Sequence, residues 1–276
     1  MDRILSAEEV SDFRRTVYQN YHEAGRDFPW RNTVNPYEIL VSEMMLQQTQ
    51  TLRVVPKYEV WLNRFPSAAD VASAPLSEIL QYWSGLGYNR RAVFLQKACT
   101  VVCKLYSGIF PQSPDELEKL PGIGPYTARA VAAFAFSRPE VFVETNIRSV
   151  FIFFFFKNST EKVSDTDILP LVSRTLDKEH PREWYYALMD YGAELKRHIV
   201  NPNRRSREYS RQSAFEGSLR QARGAILRQL VQNGKMSLEE IAQAEHIDMD
   251  RLQQASDKLL REGLITVHGS TFQVTS

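Results

Sequence analysis

The sequence contains little cysteine and no long hydrophobic run. Among its 276 residues only Cys99 and Cys103 are cysteines, spaced four apart in a helical pattern. Two thiols exclude a disulfide framework and a metal site made of cysteines alone, and they favour a reducing, cytoplasmic location. The apolar stretch FIFFFFKN at 151–158 is much shorter than the roughly 20 residues of a membrane-spanning helix. We therefore interpret it as part of a buried helix and expect no membrane partner.

The sequence also has almost no excess of charge of either sign. Its 34 lysine and arginine residues nearly balance 33 aspartate and glutamate residues, which gives a formal net charge of +1. A polyanionic partner would therefore have to bind a local basic patch. The first residues, MDRILSAEEVSDFRRTV, mix acids and bases on an amphipathic helix and do not have the pattern of a signal peptide.

Most of the chain shows helical periodicity, which predicts an all-α fold with short connecting turns; one long periodic segment covers 36–64. Residues 198–214 lack this periodicity and are rich in asparagine, proline, serine and arginine, the composition of a linker. The remaining residues predict three helices and a two-stranded hairpin that turns at His268, Gly269 and Ser270. This order is typical of a winged helix.

Four turn-forming residues crowd the start of an apolar helix, in LPGIGPYTARAVAAFAF at 120–136. A Pro-Gly-x-Gly turn leaves backbone N–H groups at the helix N-terminus, where the positive end of the helix dipole lies. Gly122 and Gly124 would let a phosphate approach this backbone without a Cβ atom in the way. The segment favours an anion site, although a plain connection between two helices would use the same residues.

A carboxylate lies within another apolar helical stretch, SEMMLQQTQ at 42–50. Glu43, among methionine and leucine side chains, is expected to keep its proton near neutral pH, as a general acid must. The alternative is a glutamate on the solvent face of its helix. The polar run QQT, which offers paired donors and acceptors at the same helix end, favours the functional interpretation.

Several short motifs occur in one order along roughly residues 20–200 of the chain: FPWR at 28–31, SEMMLQQTQ, GLGYNRRA at 85–92, LPGIGPYTARAV, and MDYGA at 189–193. Together they resemble the adenine DNA glycosylase branch of the helix-hairpin-helix DNA glycosylases. The resemblance implies a two-lobed helical fold with the active site in the cleft between its lobes. The expected parts are a glycosylase domain at 1–200 (a six-helix barrel at about 32–140 and a second lobe from 1–31 and 141–200), a basic linker at 201–214 and a winged-helix-like domain at 215–276.

The resemblance implies a monofunctional DNA glycosylase of base excision repair, a nucleoid-associated monomer that acts on double-stranded DNA with a mispaired or damaged base. The excised base would be adenine opposite 8-oxoguanine or guanine. Glu43 aligns with the acid that protonates the departing base and activates water. Tyr126 lies where bifunctional relatives carry a lysine nucleophile, so strand cleavage through a Schiff base is not expected.

Further positions match the family's residues for rotating a nucleotide out of the duplex. Those implied to receive the flipped base are Arg26, Trp30, Arg31, Leu46, Tyr186 and Met189. Those implied to contact DNA are Gln48, Thr49, Leu86, Tyr88, Gly122, Gly124 and Thr127, with Gln48 and Tyr88 as wedges. The backbone carbonyls implied to hold a sodium or potassium ion at the hairpin are those of Glu118, Leu120 and Ile123. Trp30 and Leu46, each taken alone, would equally suit core packing.

The sequence departs from the family at several of these positions. Glu144 replaces the aspartate that stabilises the oxocarbenium ion, with Asn146 retained, and the longer side chain could change activity or mechanism. Tyr186 replaces a glutamine or glutamate that reads the adenine edge, which weakens the case for adenine. Lys196 stands at the first of four cysteine positions that hold the family's iron–sulfur cluster, so no cluster or other cofactor is expected. The winged-helix-like domain replaces a Nudix-like domain that reads 8-oxoguanine.

A basic stretch at 196–211 takes the place of the cluster loop. Arg204, Arg205 and Arg207 could contact the DNA backbone, as that loop does in relatives. A solvated linker is the alternative. The winged-helix-like domain mixes bases with acids, which favours a packing or partner-binding module.

Three functions remain open at this point. The first is a DNA glycosylase for adenine or for another base, such as thymine opposite guanine. The second is a lesion-binding protein with weakened catalysis, suggested by Glu144, and the third is a winged-helix regulator with a helical partner domain. Glu43 together with the intact hairpin favours the first.

Overall fold

A computed structural model describes residues 5–157, 161–211 and 214–275. Residues 212–213 of the predicted linker and residue 158 of the FIFFFFKN stretch lie outside the described residues, as do the first four residues of the predicted N-terminal helix. The helices are α1 Ala7–Ala24, α2 Pro36–Leu46, α3 Thr51–Arg64, α4 Ala68–Ser73, α5 Leu76–Trp83, α6 Arg90–Leu105, α7 Pro114–Leu117, α8 Pro125–Phe136, α9 Thr145–Phe155, α10 Asp165–Thr175, α11 Pro181–His198, α12 Leu219–Asn233, α13 Leu238–Glu245 and α14 Met249–Arg261. Short 3-10 helices cover Pro29–Arg31 and Pro202–Arg205, and the strands are β1 Met236–Ser237, β2 Ile265–His268 and β3 Thr271–Val274.

This mostly helical architecture, with strands in a small C-terminal region, confirms the predicted fold class. No helix among the described residues is long and apolar enough to cross a membrane. The predicted turn between the last two strands lies at Gly269 and Ser270, and β3 pairs antiparallel with both β2 and β1. The C-terminal region thus has the three helices and the hairpin of a winged helix.

The described residues form two compact units. The first contains the described parts of Met1–Ile39, Gln112–Glu118 and Gly124–Arg211, and the second those of Leu40–Pro111, Lys119–Ile123 and Gln212–Ser276. The domain boundaries expected from the sequence stay a prediction. Within the second unit α12 packs against α5, so the winged-helix segment shares this unit with residues 40–111.

Aromatic side chains fill the core of the first unit. The rings of Phe151 and Trp184 both meet the ring of Phe13 edge-on, at centroid distances of 5.4 and 5.8 Å. Phe151 is fully buried in α9, as expected for the FIFFFFKN stretch. These contacts hold α1, α9 and α11 together, because edge-to-face aromatic pairs add about 0.5–1.5 kcal/mol to the burial of their area.

The start of the predicted basic linker is folded onto α9. The 3-10 helix Pro202–Arg205 contacts α9, and Asn203 and Ser206 are buried. Arg148 of α9 donates to both carboxylate oxygens of Asp165, at 2.6 and 2.7 Å, and to Asn203 Oδ1 at 3.4 Å. Val163 and Ser206 form a parallel β-bridge beside this network. Long-range contacts therefore fix a segment whose local composition suggests a loop.

Candidate functional site

Glu43 is buried in α2, with 7% of its surface exposed. Met44 and Met45, which follow it, are also buried, at 1% and 0% exposure. The side chain therefore does not lie on a solvent face, which removes the alternative considered for it. A carboxyl group shielded from bulk water in this way is suited to proton transfer with a bound reactant.

Four described residues of the second unit have left-handed backbone conformations without being glycine, and two of them, Gln48 and Tyr88, are implied DNA contacts. Gln48 has φ 55° and Tyr88 has φ 48°, and both are exposed. Such conformations cost roughly 1–2 kcal/mol per residue and persist only where the surrounding structure enforces them. Both residues are implied DNA wedges, and both lie in tight loops with exposed side chains.

Arg91 ties these two loops together from inside the unit. Its Nη1 donates to the carbonyl oxygens of Met44 at 2.7 Å and Gln47 at 2.7 Å, at the end of α2. Its Nη2 donates to the carbonyl oxygen of Gly87 at 2.9 Å, next to Tyr88. Burial lowers the pKa of Arg91 to about 10, so the guanidinium stays charged at neutral pH. One planar cation thus fixes the spacing of the Gln48 and Tyr88 loops.

A groove of about 800 Å³ runs along these loops and α12. Its walls include Gln48, Tyr88, Arg220 and Arg228. Arg220 Nη1 donates to the Tyr88 hydroxyl at 3.0 Å, and its guanidinium lies over the Tyr88 ring. The C-terminal segment therefore contributes cationic side chains beside an implied wedge residue.

The hairpin adopts the turn that its glycines predict. Gly122 has φ +77°, and a Cβ placed on it would lie 2.3 Å from Cβ of Phe94. Gly124 is the N-cap of α8 and has no side chain to cap the helix, while a Cβ on it would meet no described heavy atom within 4 Å. Thr127, in the first turn of α8, is buried. A helix N-terminus with an open backbone approach is suited to an oxyanion.

Glu144 lies at the N-terminus of α9 as its N-cap. Its Oε1 accepts from the backbone N–H groups of Asn146 at 2.6 Å and Ile147 at 2.8 Å. Its Oε2 accepts from Asn146 Nδ2 at 3.3 Å. The carboxylate is held in one orientation at the positive end of a helix dipole, which stabilises its charge.

Three of the residues implied to receive the base, Arg26, Arg31 and Tyr186, line one cavity of about 470 Å³ in the first unit. The buried carboxylate of Asp190 accepts from Arg26 Nε at 2.7 Å and from Arg31 Nη1 and Nη2 at 2.8 and 2.7 Å. Burial raises the pKa of Asp190, but hydrogen bonds and charge from Arg31 and Arg26 outweigh it and hold the pKa below its ordinary value. The arginines are thereby set in place before any ligand arrives.

The aromatic residues implied for the site are mostly covered by protein. Trp30 is 5% exposed and stacks on Phe28, while Tyr186 is 6% exposed and stacks on Phe134 with a centroid distance of 4.6 Å. Tyr126 is half-buried and meets Phe142 edge-on. Thus Trp30 and Tyr186 pack in the core, and their roles toward a base stay predictions, as do those of the half-buried Met189 and Leu46.

Among the DNA contacts implied near Tyr88, Leu86 is buried, and the Thr49 hydroxyl lies 3.5 Å from its carbonyl oxygen. In the basic stretch, Arg205 donates to the carbonyl oxygen of Phe156 at 2.5 Å and Arg207 to that of Lys162 at 3.3 Å. Arg204 is exposed. The first two arginines thus fasten the segment, and Arg204 presents its side chain to solvent.

Metal binding has little support in the side chains. The described residues include no group of three or more His, Cys, Asp or Glu side chains that could hold a metal ion. Both cysteines of the chain lie in α6, and two thiols cannot provide the four thiolates of an iron–sulfur cluster. At the hairpin the Leu120 carbonyl accepts from the N–H of Ile123 at 3.1 Å. The monovalent-cation site that the resemblance implies, which would include Glu118, stays a prediction.

Three organising residues were not singled out from the sequence for these roles: Arg91, Asp190 and, as a partner of Asn146, Lys196. Arg91 directly precedes the buried Ala92 in α6, and a charged residue on the apolar side of a helix is a signal of an internal partner. Asp190 is the only acid of the MDYGA motif. Neither sequence pattern predicts which groups these two residues contact, because those groups come from distant parts of the chain.

The sequence matches a known protein family and several curated relatives. The model of the HhH-GPD superfamily of base excision DNA repair proteins matches residues 41–169. The adenine DNA glycosylase of Mycolicibacterium smegmatis is 47% identical over 131 residues, which are 47% of this chain and 45% of the relative. That of Buchnera aphidicola is 37% identical over 182 residues, 66% of this chain and 52% of the relative. The chain therefore spans about half the length of the curated relatives it matches.

Among solved structures, that of a thermostable thymine-DNA glycosylase is similar to this chain, with a TM-score of 0.63 and 30% sequence identity. The similarity covers 67% of this chain and 87% of that one.

Proposed function

The chain belongs to the HhH-GPD superfamily of base excision DNA repair proteins, and on that premise we propose that it is a monofunctional DNA glycosylase that excises a mispaired base, adenine in the first place, from double-stranded DNA. One observation carries the proposal. The helix that buries Glu43 ends just before the strained residue Gln48, and Arg91 fixes that helix end to the Tyr88 loop. A candidate acid and two candidate wedges are thus held in one rigid unit.

The first step is the rotation of a nucleotide out of the duplex. Removing a base from its stack costs a few kcal/mol, least at a mispair. Side chains that fill the vacated space must be held outward without further ordering on binding. Gln48 and Tyr88 meet this requirement, because the tight loops and Arg91 fix their backbones in advance.

The second step is cleavage of the bond between the base nitrogen and C1′ of the sugar. Glu43 donates its proton to a ring nitrogen of the base, which leaves as a neutral molecule with the bonding electrons. The sugar becomes an oxocarbenium ion, and the carboxylate of Glu144, fixed by two backbone N–H groups, offsets that charge. Water then adds to C1′, and its proton returns to the Glu43 carboxylate.

One feature supports a reaction that stops at the abasic site. Tyr126 provides a phenol, which cannot form a Schiff base with the opened sugar as an amine can.

Thymine opposite guanine is the second candidate substrate. The structural relative of 30% identity is a thymine-DNA glycosylase, whereas the curated sequence relatives are adenine glycosylases. Tyr186 replaces the glutamine or glutamate that reads the adenine edge, and its ring is buried and stacked on Phe134. This position therefore does not discriminate between adenine and thymine. We place adenine first because the sequence identity to adenine glycosylases is higher.

The test is an excision assay on duplexes with adenine opposite 8-oxoguanine, adenine opposite guanine, and thymine opposite guanine. We expect alkali-dependent strand breaks with the adenine duplexes and none without alkali. Glu43→Gln should slow excision at least about 10²-fold, since general acid–base groups contribute about 10²–10⁴-fold. Its duplex Kd should change little, because the amide keeps the size of the carboxyl group.

Glu38→Gln is a matched control, since it makes the same change in the first turn of the same helix. It should keep the wild-type excision rate. Excision by Glu43→Gln at the wild-type rate would remove Glu43 from the mechanism. Wild-type protein that binds these duplexes without excising any base would replace the proposal with a lesion-binding function.

A further inference from the structure

The helix α11 passes close to the start of α9. A Cβ on Gly192 would lie only 2.3 Å from the Asn146 carbonyl oxygen, so this approach requires glycine. One turn further along α11, on the same face, is Lys196. Its ammonium donates to Asn146 Oδ1 at 2.7 Å. Close packing at Gly192 thus places Lys196 beside the side chain of Asn146.

This contact determines which way the Asn146 amide points. An ammonium group can only donate, so the amide oxygen must face Lys196. The amide nitrogen then faces Glu144, where Nδ2 donates to Oε2 at 3.3 Å. Reversal of the amide would turn its oxygen toward the carboxylate, and two acceptors would face each other.

The amide in turn determines the freedom of the carboxylate. Backbone N–H groups of Asn146 and Ile147 both bind Oε1. The Asn146 side chain is the contact to Oε2. Without a correctly oriented amide, the carboxylate stays anchored through Oε1 but can rotate about that anchor. The longer glutamate side chain makes this second anchor more important than it would be for an aspartate.

We propose that Lys196 is a positioning residue that acts through Asn146 to hold the Glu144 carboxylate in its working orientation. The proposal rests on the proposed role of Glu144 in excision. Burial lowers the pKa of Lys196, and the charges of Arg148 and Arg26 lower it further; the negative charge of Glu144 offsets only part of this shift. Lys196, which the resemblance aligns with a cysteine ligand of the cluster, thus contacts a side chain of the protein itself.

The experiment compares Lys196→Met, Lys196→Arg and the control Arg197→Met. Arg197 is the next cation, its side chain is 68% exposed, and it pairs with Glu194, so its loss tests the effect of charge alone. Under single-turnover conditions Lys196→Met should slow excision about 10²-fold, the cost of a misplacement of about 1 Å. Lys196→Arg should recover part of that loss, and Arg197→Met should excise at the wild-type rate. The duplex Kd of Lys196→Met should stay close to that of the wild type.

A double-mutant cycle decides whether the effect passes through Asn146. If it does, Lys196→Met should slow the Asn146→Ala protein no further. Additive losses, or a weakened duplex Kd with an unchanged excision rate, would overturn the proposal and indicate a direct contact of Lys196 with DNA.

A second readout does not depend on excision. Crystal structures of Lys196→Met and of the wild type, with the Asn146 amide assigned from its hydrogen bonds, should show a reversed or displaced amide only in the variant. An unchanged Asn146–Glu144 contact in Lys196→Met would refute the positioning role even if the wild type excises bases. If the wild type excises none but the amide reverses, Lys196 orients Asn146 and it is the proposed function that fails.

Discussion

The two hairpin glycines allow a sharp test of DNA binding, because the structure predicts opposite consequences for the same substitution. At Gly122 an alanine would have to adopt φ +77° and would place Cβ 2.3 Å from Phe94 Cβ and 2.4 Å from its Cγ. At Gly124 the backbone angles, φ −91° and ψ 175°, suit any residue, and a Cβ has no described neighbour within 4 Å. Only the first substitution strains the protein itself.

The magnitudes follow from these contacts. A left-handed alanine costs roughly 1–2 kcal/mol, and overpacking against Phe94 adds about 1–3 kcal/mol. Gly122→Ala should therefore lower the free energy of unfolding by about 2–5 kcal/mol. For Gly124→Ala, the weaker N-cap and the stiffer unfolded chain oppose each other at about 1 kcal/mol or less, so stability should hardly change.

Gly108→Ala separates the two costs at Gly122. Gly108 has φ +82°, and a Cβ added to it would have no described atom within 4 Å, so its substitution measures left-handed strain alone. Gly108→Ala should lower the free energy of unfolding by about 1–2 kcal/mol. The difference between Gly122→Ala and Gly108→Ala then reports the overlap with Phe94. Urea denaturation followed by circular dichroism gives all three values.

The effect of the glycine variants on the duplex Kd should differ from their effect on stability. A Cβ on Gly124 would enter the space that a phosphate needs above the start of α8, and loss of a charge-assisted hydrogen bond costs about 1.5–3 kcal/mol. Gly124→Ala should therefore raise the duplex Kd by about 10- to 100-fold at unchanged stability, as measured by fluorescence anisotropy. Wild-type affinity in a fully folded Gly124→Ala protein would refute the hairpin as a phosphate site.

Two further outcomes follow from the buried charges. Arg91→Lys should lower the free energy of unfolding, measured in urea, by about 3 kcal/mol. An ammonium group cannot reach the carbonyls of both loops, and each charged hydrogen bond contributes about 1.5–3 kcal/mol. A loss below about 1 kcal/mol would mean that the loops keep their conformation without Arg91. Since Arg31 and Arg26 keep the pKa of Asp190 below its ordinary value, the stability it contributes is complete above about pH 4 and is lost as the pH falls through the folded-state pKa. The difference in unfolding free energy between wild type and Asp190→Asn should therefore shrink as the pH falls below about 4, and a constant difference would contradict this assignment.

Short sequence motifs predicted the elements whose backbone conformation depends only on neighbouring residues. The Pro-Gly-x-Gly turn predicted the start of α8 at Pro125, because proline and glycine restrict or permit backbone angles regardless of context. The burial of Glu43 followed from its apolar neighbours along the helix. By contrast, the periodicity of 36–64 predicts one continuous segment, whereas the helix stops at Leu46 and restarts at Thr51. Only the polar run QQT indicates a helix end there. At that break Arg91 donates to the carbonyl oxygens of Met44 and Gln47, a contact from a distant part of the chain.

Partners that lie far apart in sequence could not be predicted. Asp190 joins arginines more than 150 positions away, and α12 packs on α5, which is also far away in the sequence. Composition reports the average polarity of a segment. It does not report which distant carbonyl or carboxylate will accept from each donor.

The basic stretch 196–211 shows how this distinction bears on function. Its sequence is basic, which suggested a loop that binds DNA by charge alone. In the structure its cations divide into two groups. Lys196 and Arg205 are half-buried and donate to acceptors within the first unit, whereas Arg197, Arg204, Arg207 and Arg211 are exposed. Charge that is committed to internal acceptors contributes little to the release of counterions from DNA. Lys196 and Arg205 thus contact the start and the end of α9, while the four exposed arginines keep the stretch suited to a DNA backbone.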